Sequence, residues 1–310
     1  MYDARGPRHR PSRRSRAAAV LAVVALSTAV GGLVQPTAAG AQPAPTSKPA
    51  IFHNGNWYLR DTLTTGVATS TFRYGTPGDH PVMGDWDGDG DDTVGIVRTT
   101  QLPSGEFVFT WHLRNTNSAG PATVAPFVFG DVRFVAVDQL GALPVVGDWD
   151  GDGDDTPGVM VYDFELDGPI LWQLRNSIGA GAPDVTFNYS RGRDLPVVGD
   201  WDGDGDDSIG VVRGRTWLLR NAVAGGNADL TFGYGSSSYF ELRVPGDWDG
   251  NGTDTPAVLR NRPPTEVGGS EVWLFRNSNS AGGANGEITF GSDAQTVDLP
   301  FETVPRLTWK

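Results

Sequence analysis

The chain has 310 residues, ten tryptophans, no cysteine and a formal net charge of -13 at pH 7. So acidic a chain lacks the clustered Lys and Arg that phosphate binding needs, which excludes nucleic acid as a partner. Without cysteine no disulfide can form, so an exported form of this chain must be stabilised by core burial or by metal ions.

The first 41 residues differ in composition from the rest. Six arginines precede residue 17, an apolar run extends from Ala17 to about Val34, and "AGA" follows at Ala39–Ala41. This pattern is typical of a signal peptide over residues 1–41. We therefore expect a secreted protein, extracellular or associated with the cell envelope, with no membrane span after signal removal. Losing six Arg and one Asp would lower the net charge from -13 to -18.

Residues 42–48 are a Pro-rich spacer, and from residue 49 onward one pattern recurs five times. Its marker, W-x-[LF]-R-[ND], begins at Trp57, Trp111, Trp172, Trp217 and Trp273. An apolar run precedes each marker, an aromatic run such as "STFRYG" follows it, and a further apolar run such as "LPVVGD" comes next. Short Val- and aromatic-rich runs separated by Gly, Asn and Pro indicate β-strands. Four strands per repeat predict an all-β fold over residues 49–310, a five-bladed β-propeller of four-stranded blades.

The order of the runs predicts that the two ends of the chain share one blade. If "LPVV" is the innermost strand, the chain begins at the second strand of a blade, Ala50–Asn54, and ends with a first strand within Asp298–Trp309. Pairing of these two strands would remove the open edge. The alternative is an open stack of five units.

Four loops carry Asp at a regular spacing: "GDWDGDGDD" begins at Gly84, Gly147 and Gly199, and "GDWDGNGTD" begins at Gly246. Counting from the first Asp, side chains at positions 1, 3 and 5 can converge on one point, and Gly at position 6 permits a sharp turn. Calcium accepts six to eight such oxygen ligands. We therefore predict about four Ca²⁺ ions, one per loop. The predicted ligands occupy positions 1, 3, 5, 7 and 8: Asp85, Asp87, Asp89, Asp91, Asp92, Asp148, Asp150, Asp152, Asp154, Asp155, Asp200, Asp202, Asp204, Asp206, Asp207, Asp247, Asp249, Asn251, Thr253 (through its carbonyl) and Asp254.

Two other loop types are excluded. An EF-hand needs Glu at position 12, where this chain has Ile96, Val159, Val211 and Val258. A phosphate cradle is excluded because the surrounding carboxylates would repel a phosphate group.

These loops, together with the endings "FRYG", "FVFG" and "FGYG", resemble the FG-GAP/VCBS-type repeat proteins, which include the calcium-loop blades of integrin α-subunit propellers. The resemblance covers about residues 49–310 and implies a propeller fold, calcium, and extracellular adhesion or ligand binding without one fixed activity. The family commonly has an acid at position 9. Here that position holds Thr93, Thr156, Ser208 and Thr255, so we assign the last ligand to position 8.

Catalytic patterns are absent from the sequence. His53, His80 and His112 are scattered without a metal-ligand spacing, there is no G-x-S-x-G motif, and the "LPVV" runs lack the carboxylate pair of a glycosidase. We expect a monomeric, non-enzymatic binding or adhesion module for an extracellular glycan or protein. The alternatives are a polysaccharide-active enzyme and a purely structural envelope or matrix repeat protein. Whether the calcium ions contact a ligand or only stabilise the fold stays open.

A ligand site is expected in the irregular segments Asp131–Ala142, Tyr162–Pro169 and Arg262–Glu271, because insertions on a repeated scaffold carry function. The tryptophans are expected in the core. The five marker arginines, on the opposite strand face, are expected to pair with carboxylates of their blades: Arg60, Arg114, Arg175, Arg220 and Arg276.

Overall fold

A computed structural model describes residues 47–104, 107–130, 140–163, 168–192, 194–236, 241–260, 271–291 and 306–309. All regular secondary structure in these ranges is β-strand. Within them, no helix is long and apolar enough to cross a membrane.

Twenty strands form five antiparallel sheets of four strands each, so the predicted five-bladed β-propeller is confirmed. Blade 1 contains β20 (Arg306–Trp309), β1 (Lys48–His53), β2 (Asn56–Leu59) and β3 (Ser70–Arg73). Blade 2 contains β4 (His80–Gly84), β5 (Thr93–Gln101), β6 (Phe107–Leu113) and β7 (Phe127–Val128). Blade 3 contains β8 (Leu140–Gly147), β9 (Thr156–Asp163), β10 (Pro169–Leu174) and β11 (Val185–Arg191). Blade 4 contains β12 (Leu195–Gly199), β13 (Ser208–Arg213), β14 (Thr216–Leu219) and β15 (Leu230–Gly233), and blade 5 contains β16 (Glu241–Gly246), β17 (Thr255–Arg260), β18 (Val272–Phe275) and β19 (Gly286–Thr289).

The first strand of each blade lies at the centre, as the "LPVV" runs predict. Contacts between first strands run in a ring from β4 to β8, β12, β16 and β20 and back to β4. Pro and Val side chains of β4, β8, β12 and β16 line the axial channel, and Arg243 of β16 lines it beside them.

Blade 1 is completed by both ends of the described chain. β20 pairs with β1 antiparallel, with Leu307 opposite Ala50. This confirms the predicted closure and rules out an open stack. β1 begins at Lys48, two residues earlier than predicted, because Lys48 pairs with Trp309.

The core consists of five apolar clusters, each spanning two consecutive blades. The marker tryptophans Trp57, Trp111, Trp172, Trp217 and Trp273 are fully buried in them. Each cluster also contains a β-branched residue from the second strand of the next blade, such as Val159 of blade 3 packed in the cluster of Trp111. The last cluster joins blade 5 to Ile51 of blade 1. Burial of apolar side chains between blades 5 and 1 therefore helps to close the ring, as the pairing of β20 with β1 does.

The aromatic-Gly endings let the blades approach closely. Gly130 has a φ of +103°, and a Cβ there would lie 2.6 Å from Val159 Cγ2 of the next blade. Gly291 repeats this geometry against Ile51 with a φ of +89°. Glycine is needed because both the backbone conformation and the neighbouring blade exclude a side chain.

The marker arginines hold the loops that follow them. In every blade one guanidinium N–H donates to the carbonyl oxygen seven residues later; Arg60 Nη1, for example, lies 2.6 Å from Val67 O. The five pairs are Arg60 with Val67, Arg114 with Pro121, Arg175 with Ala182, Arg220 with Asn227, and Arg276 with Gly283. The expected pairing with carboxylates is therefore wrong: within the described residues only Arg220 has one within 4.0 Å, Asp229 at 3.9 Å. A loop of about ten residues offers many carbonyls that need donors, and one guanidinium supplies several.

Removing residues 306–310 should destabilise the whole propeller, because it leaves β1 as an open edge and uncovers its core contacts. We expect a loss of about 2–4 kcal/mol, or roughly 5–15 °C in Tm, in differential scanning calorimetry. The matched control deletes residues 42–45, which precede β1. Equal melting temperatures for the two truncated proteins would contradict a structural role of the closure.

Candidate metal centre

The carboxylate at position 1 organises each Asp loop. In the second loop, Asp148 Oδ1 accepts the backbone N–H groups of Gly151 (2.8 Å) and Asp152 (3.1 Å), and its Oδ2 accepts that of Gly153 (2.9 Å). Asp85, Asp200 and Asp247 accept corresponding bonds in the other loops. The Gly at position 6 turns the chain with a φ of +96° in this loop and nothing within 4 Å of its would-be Cβ, as predicted.

Carboxylates at positions 1, 3 and 5 converge in the first three loops. Each residue offers one oxygen, and the three oxygens lie within 4.8 Å of one another in Asp85/Asp87/Asp89, Asp148/Asp150/Asp152 and Asp200/Asp202/Asp204. Asp85 and Asp200 are buried and Asp148 is half-buried, whereas the residues at positions 3 and 5 are exposed. A carboxylate has about four lone-pair sites, so the backbone bonds leave position 1 able to bind a cation. Each of these three loops therefore has an oxygen donor set that fits a hard metal ion.

The fourth loop has the same backbone with fewer charges. Asn251 Oδ1 at position 5 accepts the N–H of Thr253 at 2.8 Å, as Asp204 Oδ1 accepts that of Asp206 at 3.2 Å in the third loop. The loop conformation is thus preserved although Asn and Thr replace two acids. Calcium affinity depends on the number of charged ligands, so this loop is the weakest candidate.

In blades 2 and 3 the side chain at position 3 is held from outside the loop by the residue that ends the marker. Asn115 Nδ2 donates to Asp87 Oδ2 at 2.5 Å. Asn176 donates similarly to Asp150; burial and the charge of Asp152 raise the pKa of Asp150, and this bond offsets only part of that rise. The marker and the Asp loop of one blade therefore share a face, and the marker orients a predicted ligand.

Position 8 links the second, third and fourth loops each to the loop of the preceding blade. Asp155 N–H donates to Asp85 O at 2.7 Å, and Asp155 Oδ2 accepts Asp85 N–H at 2.8 Å. Asp207 pairs with Asp148, and Asp254 with Asp200, in the same way. These carboxylates therefore hold neighbouring blades together, and their role as calcium ligands stays a prediction.

Ser47 takes this place in blade 1. Its N–H donates to Asp247 O at 2.7 Å, and its Oγ accepts Asp247 N–H at 2.9 Å. Sequence reasoning missed Ser47, although aligning "SKPAIF" with "DTPAVL" places it at position 8 of the repeat.

Position 7 also lies against the preceding loop. A Cβ on Gly151 would lie only 1.8 Å from Asp206 Oδ1, so the Asp206 carboxylate sits directly over that loop. Partial burial, then the negative charges of Asp204 and Asp148, raise the pKa of Asp206. Partial burial, then the negative charges of Asp152 and Asp85, raise the pKa of Asp154 as well. Each of the first two metal sites is thus flanked by a carboxylate from the following blade.

Position 9 holds a hydroxyl residue instead of an acid because its side chain donates a hydrogen bond within the loop. Thr156 Oγ1 is buried and donates to Gly147 O at 3.3 Å, which closes the base of the loop. Thr93, Ser208 and Thr255 make the same bond. An ionised Asp has no proton to donate to that carbonyl, so a hydroxyl suits this position.

The four loops surround the mouth of the axial channel. A cavity of about 390 Å³ lies there, lined by carboxylates at positions 1 and 8, among them Asp85, Asp148 and Asp200. Negative charge is therefore concentrated at one end of the channel.

The segments expected to carry a ligand site lie mostly outside the described residues: 131–139, 164–167 and 261–270. Of their acids, five fall in these ranges, Asp131, Asp138, Glu165, Asp167 and Glu266, and Asp163 ends β9. Glu271 is described and is buried, with 2% of its surface exposed.

A scan of the chain against models of known protein families finds no match, and a search of curated proteins finds none either. The resemblance to FG-GAP/VCBS-type repeats therefore depends on the loops, the aromatic-Gly endings and the propeller itself.

The difference in Tm between calcium-loaded and calcium-free protein should shrink as the pH falls from 7 to about 4.5. Burial and neighbouring charges raise the pKa of Asp150, Asp154, Asp202 and Asp206 above 3.8 in the metal-free fold. Between 3.8 and the raised values the folded state binds more protons than the unfolded state, so the metal-free protein gains stability as pH falls. Calcium binding weakens over the same range because the ligands must be deprotonated.

The other titrating groups affect the stability of the calcium-loaded and calcium-free proteins equally, so their contributions cancel in the difference in Tm. Burial lowers the pKa of His80 and His112, so both oppose folding below pH 6.5 with or without calcium. Burial alone would raise the pKa of Asp79, but hydrogen bonds from Arg98 and Thr76 lower it, so its contribution is lost only below 3.8. Melting curves of dialysed protein with and without calcium, at pH 7, 6, 5 and 4.5, test the trend. A Tm difference that stays constant or widens as the pH falls would contradict the prediction.

Proposed function

We propose that this chain is a secreted calcium-binding β-propeller that acts as a non-catalytic binding or adhesion module for an extracellular glycan or protein. The observation that carries the proposal is the set of three Asp triads, each with its oxygens within 4.8 Å, repeated on one ring. A β-propeller with acidic metal sites fits a binding module.

Calcium fits these loops better than other ions. The donors are carboxylates, an amide and carbonyls, which are the ligands of hard cations rather than of zinc or copper. Magnesium demands octahedral geometry and gives up water reluctantly, whereas a flexible loop of alternating Asp suits calcium. Position 8 ties each loop to its neighbour, so an ion bound in a loop also stabilises the contact between blades.

The family proposed for the chain is the FG-GAP/VCBS-type repeat proteins. Its support is the four Asp loops, each followed by an apolar strand, and aromatic-Gly endings that pack against the next blade. The proposal of secretion depends on the Arg-rich and apolar pattern of residues 1–41.

Removing calcium should lower the stability of the propeller. The four loops hold 18 of the 36 acids that remain after signal removal, and these repel one another without metal. At Kd of about 0.1–1 mM, about 1 mM calcium stabilises each site by roughly 0.4–1.4 kcal/mol, or about 2–6 kcal/mol for four sites. We expect Tm to fall by about 5 °C or more on chelation in scanning calorimetry. Magnesium should restore little of this loss. Identical calorimetric traces in calcium and in chelator would refute a stabilising role.

A matched pair of variants separates ligand charge from loop conformation. Asp204→Asn gives the third loop the position-5 residue of the fourth, and Asn251→Asp does the reverse. Both residues accept the same backbone bond, so the loop conformation should persist. In calcium titration calorimetry we expect about tenfold weaker binding at the third loop and about tenfold tighter binding at the fourth. Affinities that do not move in opposite directions would argue that these residues are not ligands.

A glycan and protein array probed with the mature chain, in calcium and in chelator, tests the binding role. Binding that needs calcium and leaves the ligand unchanged supports the proposal. Turnover of a polysaccharide would favour the enzyme alternative, and no binding would favour a purely structural repeat protein. The control is Asp204→Asn, which should bind the same ligand at a higher calcium concentration.

A further inference from the structure

A second polar site lies between blade 1 and blade 2, distinct from the Asp loops. A cavity of about 320 Å³ there is lined by Arg73 and Tyr74 at the end of blade 1, and by Ile96, Arg98 and His112 of blade 2. This volume is at the lower end of the range for small-molecule pockets, so it admits a ligand of monosaccharide size.

The hydroxyl of Tyr74 is buried in this pocket without a partner. Tyr74 is 7% exposed, and its Oη makes no hydrogen bond to any described residue. At the equivalent blade junctions Tyr189 Oη donates to Leu218 O and Tyr234 Oη to Leu274 O, each at 3.0 Å. Leaving a buried hydroxyl unpaired is costly. Tyr74 thus keeps a donor that Tyr189 and Tyr234 use within the protein, and this donor is available to a ligand acceptor.

The residues around this hydroxyl differ from those at every other junction. Arg73 corresponds to Val128, Asn188, Gly233 and Thr289, and His112 corresponds to Tyr58, Gln173, Leu218 and Leu274. Only this junction therefore combines two basic side chains at these positions. Neither Arg73 nor the ring of His112 makes a hydrogen bond in the part of the chain that the structure describes.

The charges of the pocket favour an anion. Asp79 holds Arg98 through two bonds of 2.8 Å, from Nε to Oδ1 and from Nη2 to Oδ2, and so neutralises it. Arg73 remains as an unpaired positive charge in a chain whose net charge is strongly negative. Burial raises the pKa of Tyr74 to about 12 against the opposing charges of Arg114 and Arg98, so its hydroxyl keeps its proton and can donate.

We propose that the pocket between blades 1 and 2 binds the carboxylate of an acidic sugar unit, which receives hydrogen bonds from Arg73 and Tyr74. A guanidinium matches a carboxylate geometrically and by charge. His112 is neutral near pH 7, because burial and the charge of Arg98 lower its pKa, so it offers one donor and one acceptor to sugar hydroxyls. This site deepens the proposed glycan-binding role and rests on it for the sugar class, but not on calcium.

The test is an NMR titration of the mature chain, at saturating calcium, with glucuronate. Glucose is the neutral match, and N-acetylglycine carries the carboxylate without the sugar ring. We expect glucuronate to bind at least tenfold more tightly than either. Tyr74→Phe, which copies Phe129 and Phe290 of the other blades, should weaken glucuronate binding about tenfold, and so should Arg73→Asn, which copies Asn188.

Tyr189→Phe is the control, since it removes a hydroxyl that is bonded within the protein. It should lower Tm and leave glucuronate affinity unchanged, whereas Tyr74→Phe should leave Tm unchanged or raise it. Equal affinities for glucuronate and glucose, unchanged affinity in both pocket variants, or no binding of glucuronate would overturn the proposal. N-acetylglycine binding as tightly as glucuronate would overturn the sugar class. If other glycans on the array bind but glucuronate does not, the pocket proposal is refuted and the general binding role is not. If glucuronate binds and nothing on the array does, the pocket proposal is supported on its own.

Discussion

The backbone hydrogen bond from position 8 of one Asp loop to position 1 of the loop in the preceding blade is the contact on which the ring depends. It recurs at 2.7–2.8 Å from Asp155 to Asp85, Asp207 to Asp148, and Asp254 to Asp200, and from Ser47 to Asp247 at the split blade. Its geometry requires the two loops to lie side by side. The bond therefore sets the spacing of the inner strands and, through them, the burial of the five tryptophans.

The same contact brings carboxylates of neighbouring loops close together, so that their negative charges repel one another. Side-by-side loops bring the position-7 carboxylates Asp154 and Asp206 onto the acidic loops of the neighbouring blade, where burial and nearby charge raise their pKa. Backbone N–H groups neutralise part of the charge at positions 1, 5 and 8. A divalent cation in each loop would compensate the remainder, so the interaction that closes the ring also favours metal binding.

The sequence allowed a good prediction of the blades because their signals are local. Alternating apolar strands, the turn at position 6 and the spacing of the markers all depend on neighbouring residues, and the propeller, its central "LPVV" strands and the shared blade are confirmed. The triads at positions 1, 3 and 5 also follow from local spacing.

The pairing of the two chain ends was predicted, but the partners of individual side chains were not. The marker arginines were expected to find carboxylates, but folding of the following loop presents its carbonyls instead. Ser47 lies 200 residues from Asp247, and only an alignment of the repeats places it at the position that makes this contact. The pocket at Tyr74 likewise depends on a junction between blades, which strand periodicity does not describe.

Internal repetition supplies a way to separate structural residues from functional ones. Where all blades need the same contact, as at the buried tryptophans or the aromatic-Gly endings, the residue type recurs because ring geometry demands it. Where one blade lacks a contact that its counterparts make, as at the Tyr74 hydroxyl, that position becomes a candidate for function. Tyr74 shares its side chain with Tyr189 and Tyr234 but lacks their hydrogen bond, while Arg73 and His112 stand beside it at positions whose residue type varies between blades. These three side chains line one cavity, and this is the junction at which we propose that the propeller is specialised for binding.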